Sequence, residues 1–550
     1  MEKNRDKSLI LLSLTAGASA LAAAGSCDGG KESRQPAEGP LNVVYIMCDD
    51  HSYQTISCYD GRFVRTPNID RLAGEGVRFT NSFVANSLSG PSRACLLTGK
   101  HSHKNGFTNN EHGIFDGSQQ TLPKLLQAGG YQTAMVGKWH LVSDPTGFDY
   151  WDILTGQGDY YNPVFIREGE RIVREGYSTD ITTDVALDWL ESGRDPEKPF
   201  CLFLHYKAPH RSWMPALEDL GAYEDVEFPL PDTFYDDYAG REAAGKQEMS
   251  IIADMNLIYD LKMADHENEF HTPDNPELED YGRSLYRQDL PPGTLVPGRL
   301  NAAQQAAWDA YYDPIIRQFK QDMADGKLSG NALSEWKYQR YMHDYCSVIR
   351  SVDRNVGRVY EYLKEHGLLE NTVIIYTSDQ GFFMGEHGYF DKRFMYEESF
   401  RTPLVVRLPG GKHREIDAFV QNIDYAPTIL EMAGLLVPED IQGESFLPLL
   451  KGVRPSRVNT TEGRGWRRSL YYHYYEYPAE HSVRRHYGVR TERYSLMHFY
   501  NDIDEWELFD LKKDPRQLDN IYGKPGTEKL TEKLHAELIR LKVLYDDPTP

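Results

Sequence analysis

Short apolar runs recur along the chain, beginning with Asn42–Met47, which reads as a buried strand. Gln132–Val136, Phe200–His205, Thr372–Thr377 and Pro403–Arg407 follow, with helical patterns between them. Strands alternating with helices predict an α/β fold: a large, mixed, mostly parallel sheet with helices on both faces. From about residue 216 to 330 the pattern weakens into an acidic, Tyr- and Pro-containing insertion with helical pieces. From about residue 465 the texture changes. Ser469–Tyr477, Tyr487–Thr491 and Tyr494–Phe499 alternate as antiparallel strands do, Trp506–Leu511 is a further short strand, and Glu528–Leu544 is a closing amphipathic helix. The expected organisation is a large N-terminal α/β domain over 41–464 and a small C-terminal α+β subdomain over 465–550. No internal repeat is visible.

The first residues are not expected to belong to the fold. Lys3, Arg5 and Lys7 precede an apolar stretch from Leu9 to Ala24, which has the shape of a secretory signal rather than a membrane span. It ends Ala24-Gly25-Ser26-Cys27 and resembles a bacterial lipobox, in which Cys27 becomes the lipidated N-terminus. Residues 1–27 are thus a lipoprotein signal peptide and 28–40 a flexible tether. The chain is expected to be exported, as a periplasmic or outer-membrane-associated lipoprotein that touches the membrane only through its lipid. Cys48, Cys58, Cys95, Cys201 and Cys346 remain, an odd set without metal-type spacing, so no disulfide framework is indicated.

Composition narrows the function. Sixty basic residues stand against 83 acidic ones, a formal charge of −23. That disfavours a general nucleic-acid binder, which needs a basic face. It leaves room for a local anion pocket. The 36 tyrosines suit either a sugar site or a Tyr-rich core.

Two strand ends carry candidate chemistry. The first strand runs into Asp49-Asp50 and the strand at Thr372–Thr377 into Ser378-Asp379-Gln380-Gly381. Ligands of open parallel sheets bind beyond the carboxyl ends of the strands. An Asp after a strand commonly caps the next helix, and either pair alone would carry that reading. Together, three carboxylates and an amide carbonyl make a hard-oxygen set suited to Ca²⁺ or Mg²⁺. Between them lies Ser87-Leu88-Ser89-Gly90-Pro91-Ser92-Arg93-Ala94-Cys95-Leu96-Leu97-Thr98-Gly99, which places Ser89 at a helix N-terminus, where developing negative charge is favoured.

This segment resembles the signature of the type I sulfatases of the alkaline-phosphatase-like superfamily, in the serine-type subset. The resemblance covers nearly the whole chain after the tether. It includes Asp49-Asp50, Thr66–Leu72, Gly137-Lys138-Trp139-His140, Ala208-Pro209-His210, Ser378–Gly381, Gly385–Gly388, Lys392 and the tail Glu507–Leu511 with Asp514-Pro515. It implies that Ser89 is oxidised to formylglycine (3-oxoalanine) by a serine-type anaerobic sulfatase-maturating enzyme. The hydrate would attack sulfur with one hydroxyl and expel sulfate with the other. It implies one Ca²⁺ held by Asp49, Asp50, Asp379, Gln380 and the Ser89 position. Gln380 departs from the Asn or His more usual there, but offers the same carbonyl on a longer arm. Arg93, Lys138 and His140 would contact the nucleophile and the sulfate. Lys138 and His140 read as neighbours on one face of an extended segment. His210 fits the acid that protonates the leaving alkoxide, with Lys392 sharing that role.

The blocks His205–Trp213, Asp379–Arg393 and Tyr471–Pro478 resemble the N-acetylglucosamine-6-sulfatase branch, which acts on heparan, heparin, mucin and keratan glycans. The implied substrate is a sulfated carbohydrate, attacked from its non-reducing end. Candidate sugar contacts are Asn109, Asn110, His387, His473, His481 and His486. Three alternatives stay open: a sulfatase of other position specificity (2-O-sulfated uronate or N-sulfoglucosamine), a phosphohydrolase of the same superfamily, and a glycan-binding lipoprotein with a dead site. The last predicts a damaged nucleophile motif, and the motif is intact.

Overall fold

A computed structural model describes residues 39–263 and 300–549. The expected signal segment, most of the tether and residues 264–299 of the insertion lie outside the described residues. In chain order the main-sheet strands are β1 (Asn42–Cys48), β2 (Val77–Phe79), β3 (Gln132–Lys138), β4 (Tyr150–Leu154) and β5 (Val164–Arg167). They continue with β6 (Glu170–Val173), β7 (Phe200–His205), β8 (Thr372–Ser378), β9 (Leu404–Arg407) and β10 (Arg414–Ile416). Among the described residues they form one ten-stranded sheet in the order β10-β2-β9-β8-β1-β7-β3-β4-β5-β6. The centre, β8 to β4, is parallel. The edges are mixed, with β9 antiparallel to β8 and β2, and β5 and β6 folded back as antiparallel strands.

All of β1 is buried because both of its faces are covered. Val44 and Ile46 point into one apolar cluster, while Val43, Tyr45 and Met47 point into another. This is the period-2 consequence of a strand sandwiched between helix layers. On the side of Val44 lie helices α2 (Ser178–Asp188), α3 (Ala302–Ala324) and α4 (Asn331–Glu365). On the other lie α1 (Ser89–Thr98) and α5 (Tyr425–Met432). The α3 helix belongs to the expected insertion. Asn301 opens it with a capping box closed by Gln304, and Trp308, Tyr312, Ile316 and Phe319 are its buried stripe.

The C-terminal strands are β11 (Ser469–Tyr474), β12 (His486–Thr491), β13 (Tyr494–Phe499) and β14 (Glu505–Asp510), an antiparallel sheet in sequence order. The first ends at Tyr474 and not at Tyr477, because its ladder partner β12 begins at His486, opposite Tyr474. One face packs on helix α6 (Glu528–Leu544) through Tyr471, Val489, Leu496 and Leu508 against Leu534, Leu538 and Leu541. The other sends Tyr472, Tyr474, Met497, Phe499 and Phe509 into the same cluster that covers β1. The change of texture at residue 465 therefore marks a new sheet but not a new core. The five cysteines are free, in agreement with the absence of a disulfide framework.

Glu507 shows what that shared core does to a charge. Its side chain is fully buried, Tyr396 donates to Oε2 at 2.8 Å, and Oε1 has no partner. Burial, then the neighbouring Glu505, push its pKa up to about 8. The folded protein holds a proton there that the unfolded chain releases near 4.5. The stability this contributes is complete below the unfolded pKa and is lost as pH rises through the folded one. The melting temperature of Glu507→Gln should therefore fall less than that of the wild type between about pH 5 and about pH 8. Equal slopes would show that Glu507 is ionised in the fold.

Candidate active site

The pairing register sets the site. Cys48 stands opposite Ser378, Met47 opposite His205, and Gly137 opposite His205, so β1, β8, β7 and β3 end level. The residues that follow, Asp49-Asp50 and Asp379-Gln380, meet at one sheet edge. Successive side chains of a strand point to opposite faces. The chain escapes this at Asp50, whose φ of 66° turns it sharply and brings both carboxylates to one pocket. The turn is pinned by the Asp50 N–H to Asp379 Oδ1 (3.1 Å), the His51 N–H to Ser378 Oγ (2.9 Å) and the Tyr345 hydroxyl to the Asp50 carbonyl (2.6 Å).

Ser89 is the first residue of α1, with Pro91 in the first turn, where a missing N–H costs nothing. Its hydroxyl donates to Asp49 Oδ1 at 3.0 Å and accepts from Gln380 Nε2 at 3.1 Å. Arg93, one turn on, reaches Asp379 Oδ2 at 2.9 Å and Asp49 Oδ1 at 3.7 Å, and donates to the Lys138 carbonyl at 2.8 Å. Lys138, the last residue of β3, pairs with Asp49 Oδ2 and donates to Gln157 Oε1 at 2.6 Å. Lys392 lies 2.7 Å from Asp50 Oδ2, and His210 Nε2 lies 3.8 Å from the same oxygen. The structure thus gathers Asp49, Asp50, Ser89, Arg93, Lys138, His210, Asp379, Gln380 and Lys392. His140 follows close behind: its carbonyl backs Gly90. The extended-segment argument for it does not hold, because β3 ends at Lys138 and His140 has a φ of 57°. Its Nδ1 is buried without a partner.

Burial dominates the electrostatics. It raises Asp50 to about 6, with Lys392 opposing. Burial also depresses Lys392, yet Asp391 and Asp50 outweigh it and hold the ammonium above its usual range. Burial, then Lys138, Lys207 and Lys392, press His210 well below the ordinary imidazole value. Its Nδ1 lies 2.6 Å from the Arg211 carbonyl, so Nδ1 carries the proton and Nε2 faces the pocket as an acceptor. Lys207, which sequence reasoning did not single out, is lowered by burial to about 8.

The donor set can be tested against a hard cation. The carboxylates are buried, and ligand atoms of Asp49, Asp50 and His210 lie within 4.8 Å of one another. Gln380 donates Nε2 to Asp50 Oδ1 at 2.5 Å, while its Oε1 is buried and unpartnered. Turning the amide over exchanges the two and presents the carbonyl oxygen to Asp50 and Ser89. Three carboxylates, an amide oxygen and the Ser89 oxygen fit Ca²⁺ better than a thiolate- or imidazole-seeking metal.

The expected sugar contacts differ in which polar atoms are already occupied. His473 spends Nδ1 on Asp547 (2.7 Å) and Nε2 on Tyr500 (2.6 Å). His486 spends Nδ1 on the Arg484 carbonyl (2.8 Å) and Nε2 on the Met395 N–H (3.1 Å). Both are buried on strands whose inward positions are the core, so neither ring nitrogen is left for a ligand. His387 is buried against Asp236 at 2.6 Å. Asn109 accepts from the His112 N–H at 3.0 Å, and Asn110 accepts from the Gly90 N–H at 3.2 Å. His481 joins a network near Lys392. It lies 3.2 Å from Asp391 and 3.1 Å from Arg211, and Arg211 in turn grips Asp260 (2.8 and 2.9 Å) and Glu480 (2.6 Å). Arg393 pairs with Asp391 in the same network. Sequence reasoning missed Gln157 and this network. The Gly156-Gln157-Gly158 turn was the one available signal for Gln157, since both glycines adopt positive φ.

A sulfatase family model matches residues 41–435, and an N-sulphoglucosamine sulphohydrolase C-terminal model matches 385–543. The chain is 49% identical over 526 residues to an N-acetylglucosamine-6-O-sulfatase of Bacteroides thetaiotaomicron, covering 94% of this chain and 88% of the relative. It is 28% identical to the N-acetylglucosamine-6-sulfatase of Capra hircus, covering 93% and 84%. The solved structure of BT4656 in complex with its substrate D-glucosamine-2-N,6-O-disulfate superposes with a TM-score of 0.84 at 49% identity, covering 93% of this chain and 99% of that one.

Removing the Arg93 cation would leave Asp379 and Asp49 buried with one partner fewer. In chelator, Arg93→Met should lose about 3–5 kcal/mol of stability in denaturant unfolding. A loss typical of an exposed pair, below about 1 kcal/mol, would show that the Arg93 contact is not a buried ion pair.

Proposed function

The chain belongs to the sulfatase family of the alkaline-phosphatase-like superfamily, and on that premise we propose that it removes 6-O-sulfate from N-acetylglucosamine or glucosamine residues of heparan, heparin or mucin-type glycans. It is a sulfuric ester hydrolase that acts on glycans. One observation carries the reading: the Ser89 hydroxyl lies on Asp49 at a buried helix N-terminus, ringed by Arg93, Lys138 and Lys392.

Asp49 accepts the nucleophile's proton and orients its oxygen. Arg93 and Lys138 are bound to the carboxylates beside it and offer positive charge to sulfate oxygens. His210 and Lys392 flank Asp50 Oδ2 and supply the proton for the leaving alkoxide. Lys392 holds a proton at rest. His210 gains one when an incoming sulfate offsets the three lysines that depress it. Were Ser89 carried as formylglycine, installed by a serine-type anaerobic maturating enzyme, it would offer a geminal diol in place of one hydroxyl, with the Asp49 carboxylate there to orient it. A Ca²⁺ held by Asp49, Asp50, Asp379, Gln380 and the Ser89 position supplies charge that polarises the ester. Export through the lipoprotein signal, with Cys27 as the anchor, brings the enzyme to its glycans. The pocket's cations contrast with the chain's charge of −23, which favours capture of one terminal sulfate from a short chain over attack within a polymer.

The similarity to a protein whose solved complex holds a 2-N,6-O-disulfated glucosamine supports this substrate class. A second reading, cleavage of the N-sulfate, has in its favour the C-terminal match to the N-sulphoglucosamine sulphohydrolase model.

Protein matured by a serine-type enzyme should carry residue 89 lighter by about two hydrogens in peptide mass analysis. It should release sulfate from 6-O-sulfated N-acetylglucosamine and not from 2-O-sulfated uronate, and Ser89→Ala should release none. Release from N-sulfoglucosamine alone would favour the second reading, and full activity without the mass change would overturn the nucleophile. Ca²⁺ added after chelation should raise the melting temperature, and Asp379→Ala should abolish that shift. An unchanged shift in the variant would remove Asp379 from the metal site.

A further inference from the structure

The helix that carries the nucleophile lacks a cap of its own. The first turn of any helix leaves backbone N–H groups without intrahelical partners. Leu88, at the N-cap of α1, has no side-chain acceptor to offer. Pro91 has no N–H, and the Ser92 N–H already bonds to the Leu88 carbonyl at 2.8 Å. The open donors therefore fall on Ser89 and Gly90, the reacting residue and its neighbour.

Asn110 closes one of them from outside the helix. Its Oδ1 accepts the Gly90 N–H at 3.2 Å, and its backbone N–H is given to Glu476 Oε2 at 2.6 Å. Glu476 follows β11 and is nearly fully buried. The fit is close. A Cβ added at Gly90 would meet Asn110 Oδ1 at 2.5 Å and Phe107 Cε1 at 2.6 Å. The β11 strand is itself tied to the segment before the helix, because the His473 N–H bonds to the Ala85 carbonyl at 3.1 Å and the Ser87 N–H bonds to the Tyr472 hydroxyl at 3.2 Å.

We infer that Asn110 and Glu476 are positioning residues that cap the nucleophile's helix in series, so that the C-terminal sheet fixes where residue 89 stands. This rests on the reading of Ser89 as the nucleophile. It gives the Asn110 acceptor a partner within the protein, at Gly90. A nucleophile displaced by a fraction of an ångström loses turnover, whereas substrate affinity is set by other groups.

The test uses full-length mature enzyme, with modification of residue 89 checked by intact mass in every variant. Asn110→Ala and Glu476→Ala should each lower kcat about 10- to 100-fold and leave KM within about twofold. The double variant should be no worse than either single one, as expected for members of one relay. Glu476→Gln, which keeps an acceptor for the Asn110 N–H, should recover most of the loss. Hydrogen exchange at the Gly90 amide should quicken in both alanine variants and not in Glu476→Gln. Unchanged kcat and exchange would overturn the inference. So would a raised KM with unchanged kcat, which would return Asn110 to the sugar site. If the wild type releases no sulfate from any sugar in the panel, the functional reading fails, while the exchange result still reports on the cap.

Discussion

Three carboxylates stand buried side by side at the end of a parallel sheet, and the pocket around them is built to tolerate that. Each has its own cation: Lys138 for Asp49, Lys392 for Asp50 and Arg93 for Asp379. Buried pairs of this kind seldom add stability over apolar packing, because desolvation consumes most of the attraction. Their retention makes sense as chemistry. The same cations that keep the acids ionised are the ones a sulfate meets, and the same acids that hold the cations orient the Ser89 oxygen. The pairing of β1 with β8 sets all of this, since a one-residue slip would send one carboxylate pair to the opposite face.

Much of this was legible in the sequence, for definite reasons. A buried parallel strand is written as an apolar run, and its end is marked by the first charged residue, so Asp49 and Asp379 announce their own positions. Pro91 and Arg93 read as a helix start after Ser89, and the resemblance of the segment to the sulfatase signature singled out Ser89 itself. The antiparallel strands after residue 465 alternate, and their ends fell within a few residues of the pattern.

What was not legible depends on contacts between distant segments. Gln157 reaches Lys138 from a loop with no periodicity to read. Arg211, Asp260, Asp391, Arg393 and Glu480 form one network from segments far apart in sequence. The edge strands β6 and β10, and β2 beside β10, are short and carry little apolar pattern. His473 and His486 misled because a histidine near a site looks like a ligand until both ring nitrogens are found occupied. For His140 only the extended-segment argument failed, because the left-handed turn after β3 cannot be seen in Lys138-Trp139-His140 itself.

The C-terminal sheet shares its core with the catalytic body: Tyr472, Tyr474, Met497, Phe499 and Phe509 fill the same cluster as Val44 and Ile46. Such a unit is not a cassette. It cannot be exchanged between relatives without also recutting the surface that receives it, and a chain ended at residue 464 would uncover the part of the interior on which these side chains pack. Diversification is therefore channelled into segments that leave that interior alone. The loop from Tyr475 to Arg485, which joins β11 to β12, is not such a segment: Val483 sits in the same interior, Glu476 holds Asn110, and Glu480 and His481 join the ion-pair network around Arg211 and Asp391. Inheritance can change that stretch only together with its partners Asn110, Arg211 and Asp391, so the C-terminal unit and the body that receives it are constrained to vary as one.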